Sequence, residues 1–369
     1  MTPAEAKLVP ELWNLAWAAA ARATGAAARS PLPLSDRVWG ERLANYHDPE
    51  LLIGAFDAGE LVGAVYGRSS LAAWQAPAVG WLCLLAVTPQ WQGTGLGTRL
   101  ASELVGRLRA RGCLKLRFGG EANHLLPGIP QEAPASFWRI ARRLGARFLA
   151  NEHDLHLDLR LALPAAALPS PWRLRDDDPA GAVAFVRREF PGRWAEEVEQ
   201  RIAAGARALT IETSGEPGGS APGSSVGPAG KSAGADGFCL AYLGDETLLP
   251  PSLNWREQLA ASVPSPALVA GIGPLGVAQA LRGHQLGLGL VRAAAVWLQQ
   301  HGATDVIIDW TSLTTFYGKL GARIWRSYQR AEADISGYTA QPDPAAQGPK
   351  QDPVREDGRT GRAGEGKPR

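Results

Sequence analysis

The sequence predicts an α/β protein, a mixed α+β sheet laid down twice along the chain. Three observations carry that prediction. An apolar run of strand length, residues 82–87, is stopped by Thr88-Pro89 and passes through the glycine-dense turn Gln92-Gly93-Thr94-Gly95-Leu96-Gly97 into an amphipathic helix. A related passage recurs in the second half, from Leu275-Gly276-Val277 through Leu281-Arg282-Gly283-His284-Gln285-Leu286-Gly287-Leu288-Gly289. The elements flanking each passage then follow a common order of strands and helices. At 369 residues the chain is long for one hydrophobic core, so two domains are expected.

In the first copy, residues 1–160, helical patterning covers 4–23 and 36–45. Strands over 51–58 and 61–67 are joined by the turn Asp57-Ala58-Gly59-Glu60. The strand ending at Val87 feeds the glycine turn and a helix over 95–111, whose Leu96, Leu100, Leu104 and Leu108 recur at i,i+4 spacing. A strand over 114–118, a loop carrying His124 and Pro127-Gly128-Ile129-Pro130, a helix over 134–144 stopped by Gly145 and a strand over 155–159 complete it.

Residues 161–171, rich in Ala, Leu and Pro, read as a linker to the second copy, residues 172–338. That copy shows a strand over 172–175, helices over 178–189 and 193–204, and strands over 208–212 and 238–243. A strand over 275–278, the second glycine turn, a helix over 288–301, a strand over 305–308, a short helix over 313–319 and a strand over 323–329 follow. Residues 214–236 are dominated by Gly, Ser, Ala and Pro and have little to bury, so they are expected to be a mobile insertion; the polar tail over 339–369 is expected to be disordered. In each copy the strand–turn–helix–strand unit implies a parallel crossover in mid-sheet.

Composition narrows the partners. A formal net charge of +2 implies no dense basic face, so nucleic acid is not an expected partner. Cys83, Cys113 and Cys239 are scattered and mostly within apolar runs, which suits buried thiols and gives neither a disulfide framework nor a metal site. The apolar stretch over 12–21 follows Glu5 and Glu11 with a single Lys7, the wrong charge for a secretion signal, and it is too short to span a bilayer. It reads as a core helix, with a cytoplasmic location and no membrane partner expected.

Side chains are nearly absent from the glycine turns, so backbone N–H groups there can approach a ligand. The following helix adds unpaired N–H donors and its positive dipole end, a combination suited to phosphate or pyrophosphate. Neither turn ends in the Gly-Lys-Ser/Thr of a Walker loop. The first also follows a late strand with the wrong glycine spacing for a dinucleotide fingerprint.

Gln92-Gly93-Thr94-Gly95-Leu96-Gly97 after Val87-Thr88-Pro89 resembles the acetyl-coenzyme A loop of the GCN5-related N-acetyltransferase (GNAT) family, Gln/Arg-x-x-Gly-x-Gly/Ala. Thr314-Thr315-Phe316-Tyr317-Gly318-Lys319-Leu320-Gly321-Ala322 resembles that family's Phe-Tyr-x-x-Leu-Gly-Phe segment. The resemblance implies a duplicated GNAT fold that uses acetyl-CoA as co-substrate and no metal. By it, Leu85, Ala86 and Val87 would line the pantetheine arm, and Gln92, Gly93, Thr94, Gly95, Leu96, Gly97 and Thr98 would hold the pyrophosphate. In the second copy Leu275, Gly276 and Val277, with Arg282, Gly283, His284, Gly287 and Gly289, would do the same. Tyr317 would protonate the departing thiolate of coenzyme A.

The copies depart from the family pattern in different places. The first has Trp138 where the tyrosine is expected; the second has a turn reading two residues longer than Arg-Gly-x-Gly. A missing acid is harder to replace than an extra turn, so catalysis is expected in the second copy. His124 and Asp309 are candidate acceptor contacts, Asp309 also a candidate base, with a solvated loop histidine and a strand cap as the ordinary readings. The function expected is acetyl transfer to a primary amine of a small molecule or peptide. A coenzyme A-binding or sensing module, wholly or half non-catalytic, and another acyltransferase of the same fold are the alternatives. The acceptor and the oligomeric state are not legible in the sequence.

Overall fold

The computed structural model describes residues 1–23, 32–69, 79–165, 167–214 and 234–338. Most of the expected mobile insertion and all of the expected disordered tail lie outside the described residues. The first half runs α1 (Pro3–Ala6), α2 (Val9–Ala23), α3 (Asp36–Tyr46), β1 (Leu52–Asp57), β2 (Glu60–Ser69), β3 (Val79–Val87), α4 (Leu96–Ala110), β4 (Lys115–Phe118), β5 (Ile129–Pro130), α5 (Ala135–Arg143) and β6 (Arg147–Asp158). The second runs β7 (Trp172–Arg175), α6 (Pro179–Glu189), α7 (Arg193–Ala203), β8 (Arg207–Thr213), β9 (Gly237–Tyr242), α8 (Arg256–Ser262), β10 (Val269–Val277), α9 (Leu286–Gln300), β11 (Asp305–Thr311), α10 (Thr314–Gly318) and β12 (Arg323–Asp334).

Local chemistry accounts for these elements. Val9, Leu12, Trp13, Ala16 and Trp17 form the buried stripe of α2, and Leu96, Leu100, Leu104 and Leu108 that of α4. Ser35 Oγ accepts from the Val38 N–H at the start of α3, and Asp178 Oδ1 accepts from the Gly181 N–H at the start of α6. β3 is buried along almost its whole length, as a central strand covered on both faces must be. α4 packs so closely over β2 that a Cβ at Gly67 would lie 2.4 Å from Leu104 Cδ1 and 2.8 Å from the Trp81 carbonyl.

All the strands join one sheet in the order β1-β2-β3-β4-β12-β6-β11-β10-β9-β8-β7, with β5 paired to β12. Among the described residues only β3/β4 and β10/β11 are parallel, the two expected crossovers. The halves exchange their last strands. β6 pairs with β11 of the second half (Leu155↔Ile308 to Asp158↔Asp305), and β12 pairs with β4 of the first (Glu332↔Arg117 to Asp334↔Lys115). β6 and β12 also pair antiparallel with each other at the centre.

β3 and β11 each run three residues beyond expectation, and three other strands differ more. β6 begins at Arg147, directly after the Gly145 stop, because its first residues are half-buried to exposed and show no apolar alternation. β10 begins at Val269; Gly271, Gly273, Pro274 and Gly276 disguise it, and its register against β9 shifts between Ile272 and Leu275. β12 runs on to Asp334 because it continues along β4. Among the described residues no helix is long and apolar enough to cross a membrane.

Candidate functional site

The two glycine turns match residue for residue. In the first half β3 gives way to a 3-10 turn (Pro89–Trp91), Gln92 in extended backbone, Gly93 at φ +83°, Thr94, and Gly95 at φ +89° capping α4. In the second, β10 gives way to a 3-10 turn (Gln279–Leu281), Arg282 in extended backbone, Gly283 at φ +92°, His284, and Gln285 at φ +63° capping α9. The expected two-residue lengthening is therefore absent. Gln285 occupies the left-handed position of Gly95, and the missing glycine made the turn read as longer. His284 replaces Thr94. Thr94 Oγ1 donates to the Trp91 carbonyl (2.8 Å), and His284 Nδ1 lies 3.1 Å from the Leu281 carbonyl, so each side chain closes its own turn.

The first intrahelical bonds are those of Arg99 N–H to Gly95 O (3.0 Å) and Gly289 N–H to Gln285 O (3.2 Å). The amides of Leu96, Gly97 and Thr98, and of Leu286, Gly287 and Leu288, precede them and face the helix end, as an anion site requires. Gly289 is a correction: it is buried, and its N–H is committed to the helix, so it offers no donor to phosphate. Gln92 Nε2 donates to the Val87 carbonyl (3.0 Å). Because a non-glycine residue in the left-handed region costs about 1 kcal/mol, Gln285→Gly should raise stability by up to that amount, measured by denaturant melts.

Beyond the turns the two halves diverge. β3 and β4 pair only as far as Leu82↔Phe118, and β10 and β11 only as far as Ile272↔Ile308, after which each parallel pair parts. In the first half a cavity of about 20 Å³ lies between Leu82 and Leu85 of β3, Phe118 of β4, Ile129, Ala133 and Phe137, and Trp13 and Trp17 of α2. Leu85 and Ala86 are buried, and Val87 is half-buried. Leu85 borders that small cavity, whereas Ala86 and Val87 are not among its lining residues. In the second half the crevice opens into a cavity of about 390 Å³ bordered by Gly273, Pro274, Leu275, Asp309, Trp310 and Tyr317.

Asp309 and His124 meet in this cavity. His124 comes from the loop after β4 in the first half, yet its Nε2 lies 3.4 Å from Asp309 Oδ2 on β11, and its ring meets that of Trp310 edge-on at 4.7 Å. The loop is clamped from both halves. The Asn123 N–H donates to Glu197 Oε1 (2.9 Å), Asn123 O accepts from Arg42, Asn123 Oδ1 accepts from Arg201, and Asn254 Nδ2 donates to His124 O (3.0 Å). Burial and the nearby Arg193, Arg42 and Arg201 guanidinium groups hold the His124 imidazole well below its usual pKa, so it is neutral at pH 7. Burial, reinforced by the Asp154 carboxylate, pushes the Asp309 carboxyl up to about 7.

The aim of Asp309 is set by its neighbour. Trp310 has φ +45°, a costly conformation for a bulky residue, within a register shift between β11 and β6. The Trp310 N–H donates to Asp154 Oδ1 (3.1 Å), and Tyr328 OH donates to Asp154 Oδ2 (2.6 Å), so both exchanged strands hold that backbone. Burial raises the Asp154 carboxyl to about 6.

Tyr317 borders the same cavity, mostly buried on α10. Burial first, then Cys239 and Asp309, push its hydroxyl upward, so the phenol stays protonated near neutrality. Its counterpart in the first half is Ala141 rather than Trp138. Ala146 N–H donates to Ala141 O as Ala322 N–H does to Tyr317 O, and Ile140 approaches Gly97 as Phe316 approaches Gly287. The first half therefore lacks a proton donor at that place.

Asp309, His124 and Tyr317 thus come together, while the first-half turn stands apart from them. Sequence reasoning missed Trp310, Asp154, Asn123, Glu197 and Arg201, whose roles arise from an exchanged strand and a clamped loop that no local motif announces. Among the described residues no group of three His, Cys, Asp or Glu side chains is placed to hold a metal ion.

Comparison with known proteins agrees with this architecture. Residues 10–125 match the model of the acetyltransferase (GNAT) family. The fold is similar to the GCN5-related glucosamine N-acetyltransferase region of a fungal multi-domain GH3 β-N-acetylglucosaminidase (TM-score 0.68, 22% identity), over 89% of this chain and 37% of that one. This chain therefore spans little more than a third of that protein's length. A GCN5-related N-acetyltransferase from Sphaerobacter thermophilus is similar over 91% of this chain and 94% of its own (TM-score 0.62, 16% identity). A tandem GNAT protein from the clavulanic acid biosynthesis pathway is similar over 89% and 95% (TM-score 0.56, 17% identity). No curated protein matches the sequence. These likenesses establish the fold and its tandem arrangement.

Proposed function

We propose that the chain is a tandem GNAT-superfamily protein and an N-acetyltransferase, moving an acetyl group from acetyl-CoA to a primary amine, with one catalytic centre, in the second half. The observation that carries this reading is the contrast between the crevices. Beside the first parted pair lies a cavity of about 20 Å³, and beside the second one of about 390 Å³ bordered by Asp309, His124 and Tyr317. We keep residues 1–160 and 172–338 as the two GNAT-like domains, with strands exchanged between them.

Acetyl-CoA when bound supplies an activated thioester. The backbone amides of Gly283 through Leu288 suit its diphosphate, and Leu275, Gly276 and Val277 on the parted stretch of β10 suit the pantetheine arm. Backbone N–H groups of that stretch polarise the thioester carbonyl. Asp309, close to its midpoint of titration at neutral pH, accepts the proton of the incoming ammonium, and neutral His124 beside it orients the carboxylate. Tyr317, kept protonated by burial, faces the cavity with a hydroxyl that can donate to the negative charge developing on the sulfur as the C–S bond breaks.

Paired substitutions at equivalent turns test the assignment. Gly283→Val puts a branched side chain on a left-handed position of the second turn, and Gly93→Val does so in the first. By calorimetry the wild type should bind one coenzyme A per chain. Gly283→Val should weaken binding at least about tenfold, and Gly93→Val should leave it unchanged. Two equivalents per chain, or sensitivity at Gly93 alone, would overturn the single-centre assignment.

A further inference from the structure

A second cavity, of about 340 Å³, lies on the other side of Trp310 from the proposed acetyl-transfer site. Trp310 and Arg193 border both cavities, with the Arg193 guanidinium 4.5 Å above the Trp310 ring, so this stacked pair is the wall between them. The polar lining of the second cavity consists almost wholly of donors: Arg117 on β4, Arg330 on β12, Arg193 at the start of α7, and Trp81 on β3. Trp81 is 3% exposed, and its indole N–H has no acceptor among the described residues. That is an orphaned donor in a buried wall, where leaving one unpaired is costly.

The carboxylates nearby do not neutralise this lining. Glu332, the one acid in it, is shared among Arg147 (2.7 Å), Lys115 (3.5 Å) and Arg117 (3.8 Å). Arg330 lies 3.4 Å from Glu152, and Arg193 lies 3.7 Å from Glu197. The lining itself carries three guanidinium groups, those of Arg117, Arg193 and Arg330, against the single carboxylate of Glu332, so the surplus is positive. Apolar Phe118, Pro127 and Leu149 complete the wall and lower the local dielectric, which strengthens any charge pairing inside.

We infer that the acceptor is an amine that also carries an anionic group, a carboxylate or a phosphate. Its amino end reaches Asp309, and its anionic end passes the Arg193–Trp310 stack into the second cavity, where Arg117, Arg330 and the Trp81 N–H receive it. The inference rests on the acetyl-transfer reading of the first cavity. A bidentate guanidinium contact to a carboxylate or phosphate is directional as well as attractive, so it sets the register of the amine against the thioester.

The test compares matched amines in thiolate release from acetyl-CoA: putrescine against ornithine for a carboxylate, and glucosamine against glucosamine 6-phosphate for a phosphate. The wild type should favour the anionic member of at least one pair by roughly tenfold or more in kcat/KM. In an Arg117→Gln/Arg330→Gln double variant that ratio should fall toward one. Both arginines are about two-fifths exposed (41% and 43%), so the variant should fold. The pair that responds identifies the group as carboxylate or phosphate. A wild-type ratio near one in both pairs, or a ratio unchanged in the variant, overturns the inference while leaving acetyl transfer standing.

Melting shifts with inorganic phosphate and with glutarate, in wild type and variant, read the cavity without turnover. A shift present in the wild type and lost in the variant supports the anion site. No shift, or the same shift in both, overturns it. Failure of the acetyl-transfer reading itself would appear separately, as no heat with coenzyme A and no thiolate release with any amine.

Discussion

Tyr317→Phe is expected to lower kcat by about 10²- to 10³-fold while leaving coenzyme A affinity within about twofold of wild type. The substitution removes one oxygen from a mostly buried ring that packs edge-on against Phe316 (centroids 4.8 Å apart), so the α10 turn keeps its apolar contacts. What is lost is the proton donor facing the cavity. Its alanine counterpart in the first half, Ala141, predicts that no transplanted activity resides there. Thiolate release under saturating acetyl-CoA reads kcat directly. Turnover unchanged from wild type would mean that solvent protonates the sulfur.

Asp309→Asn should cost about 10²-fold or more in kcat/KM and remove the ascending limb of its pH profile. With the carboxyl pushed up to about 7, the wild-type kcat/KM should climb with unit slope below that pH and level off above it, because only the ionised form accepts a proton. The amide cannot ionise, so its residual rate should follow only the acceptor's own titration. A stability signature accompanies this. Folding raises this carboxyl above its ordinary value, so the folded state holds a proton that the unfolded chain has lost at intermediate pH. The stability it contributes is present at low pH and falls as pH rises through about 7. Relative to wild type, Asp309→Asn should therefore melt higher at pH 8 than at pH 5. A wild-type profile still rising well above pH 8, or a variant with the wild-type limb, would remove Asp309 from the role of base.

Much of the architecture was legible in the residues. The leucines of α4, the proline stop at Pro89 and the doubled glycine turn report short-range geometry, and both parallel crossovers follow from them. Tyr317, Asp309 and His124 were singled out by residue type and by position at strand and helix ends, and they share one cavity. The sequence concealed the partner of each terminal strand. Pairing β6 with β11 and β12 with β4 depends on contacts between residues far apart in the chain, which leave no periodic mark. For the same reason nothing in the sequence brought His124 to Asp309. That Gln285 can stand in for a left-handed glycine was equally hidden, because backbone dihedrals of non-glycine residues carry no sequence signal.

The swapped ends of the sheet bind the fate of both halves together. A first half cut free would bare the edge of β4, and a second half cut free would bare β11, each an open template for aggregation. The first copy cannot then be discarded as an idle duplicate: it supplies His124 and Glu152 to the border of the cavity that holds Asp309, and in β6 the strand that flanks β11.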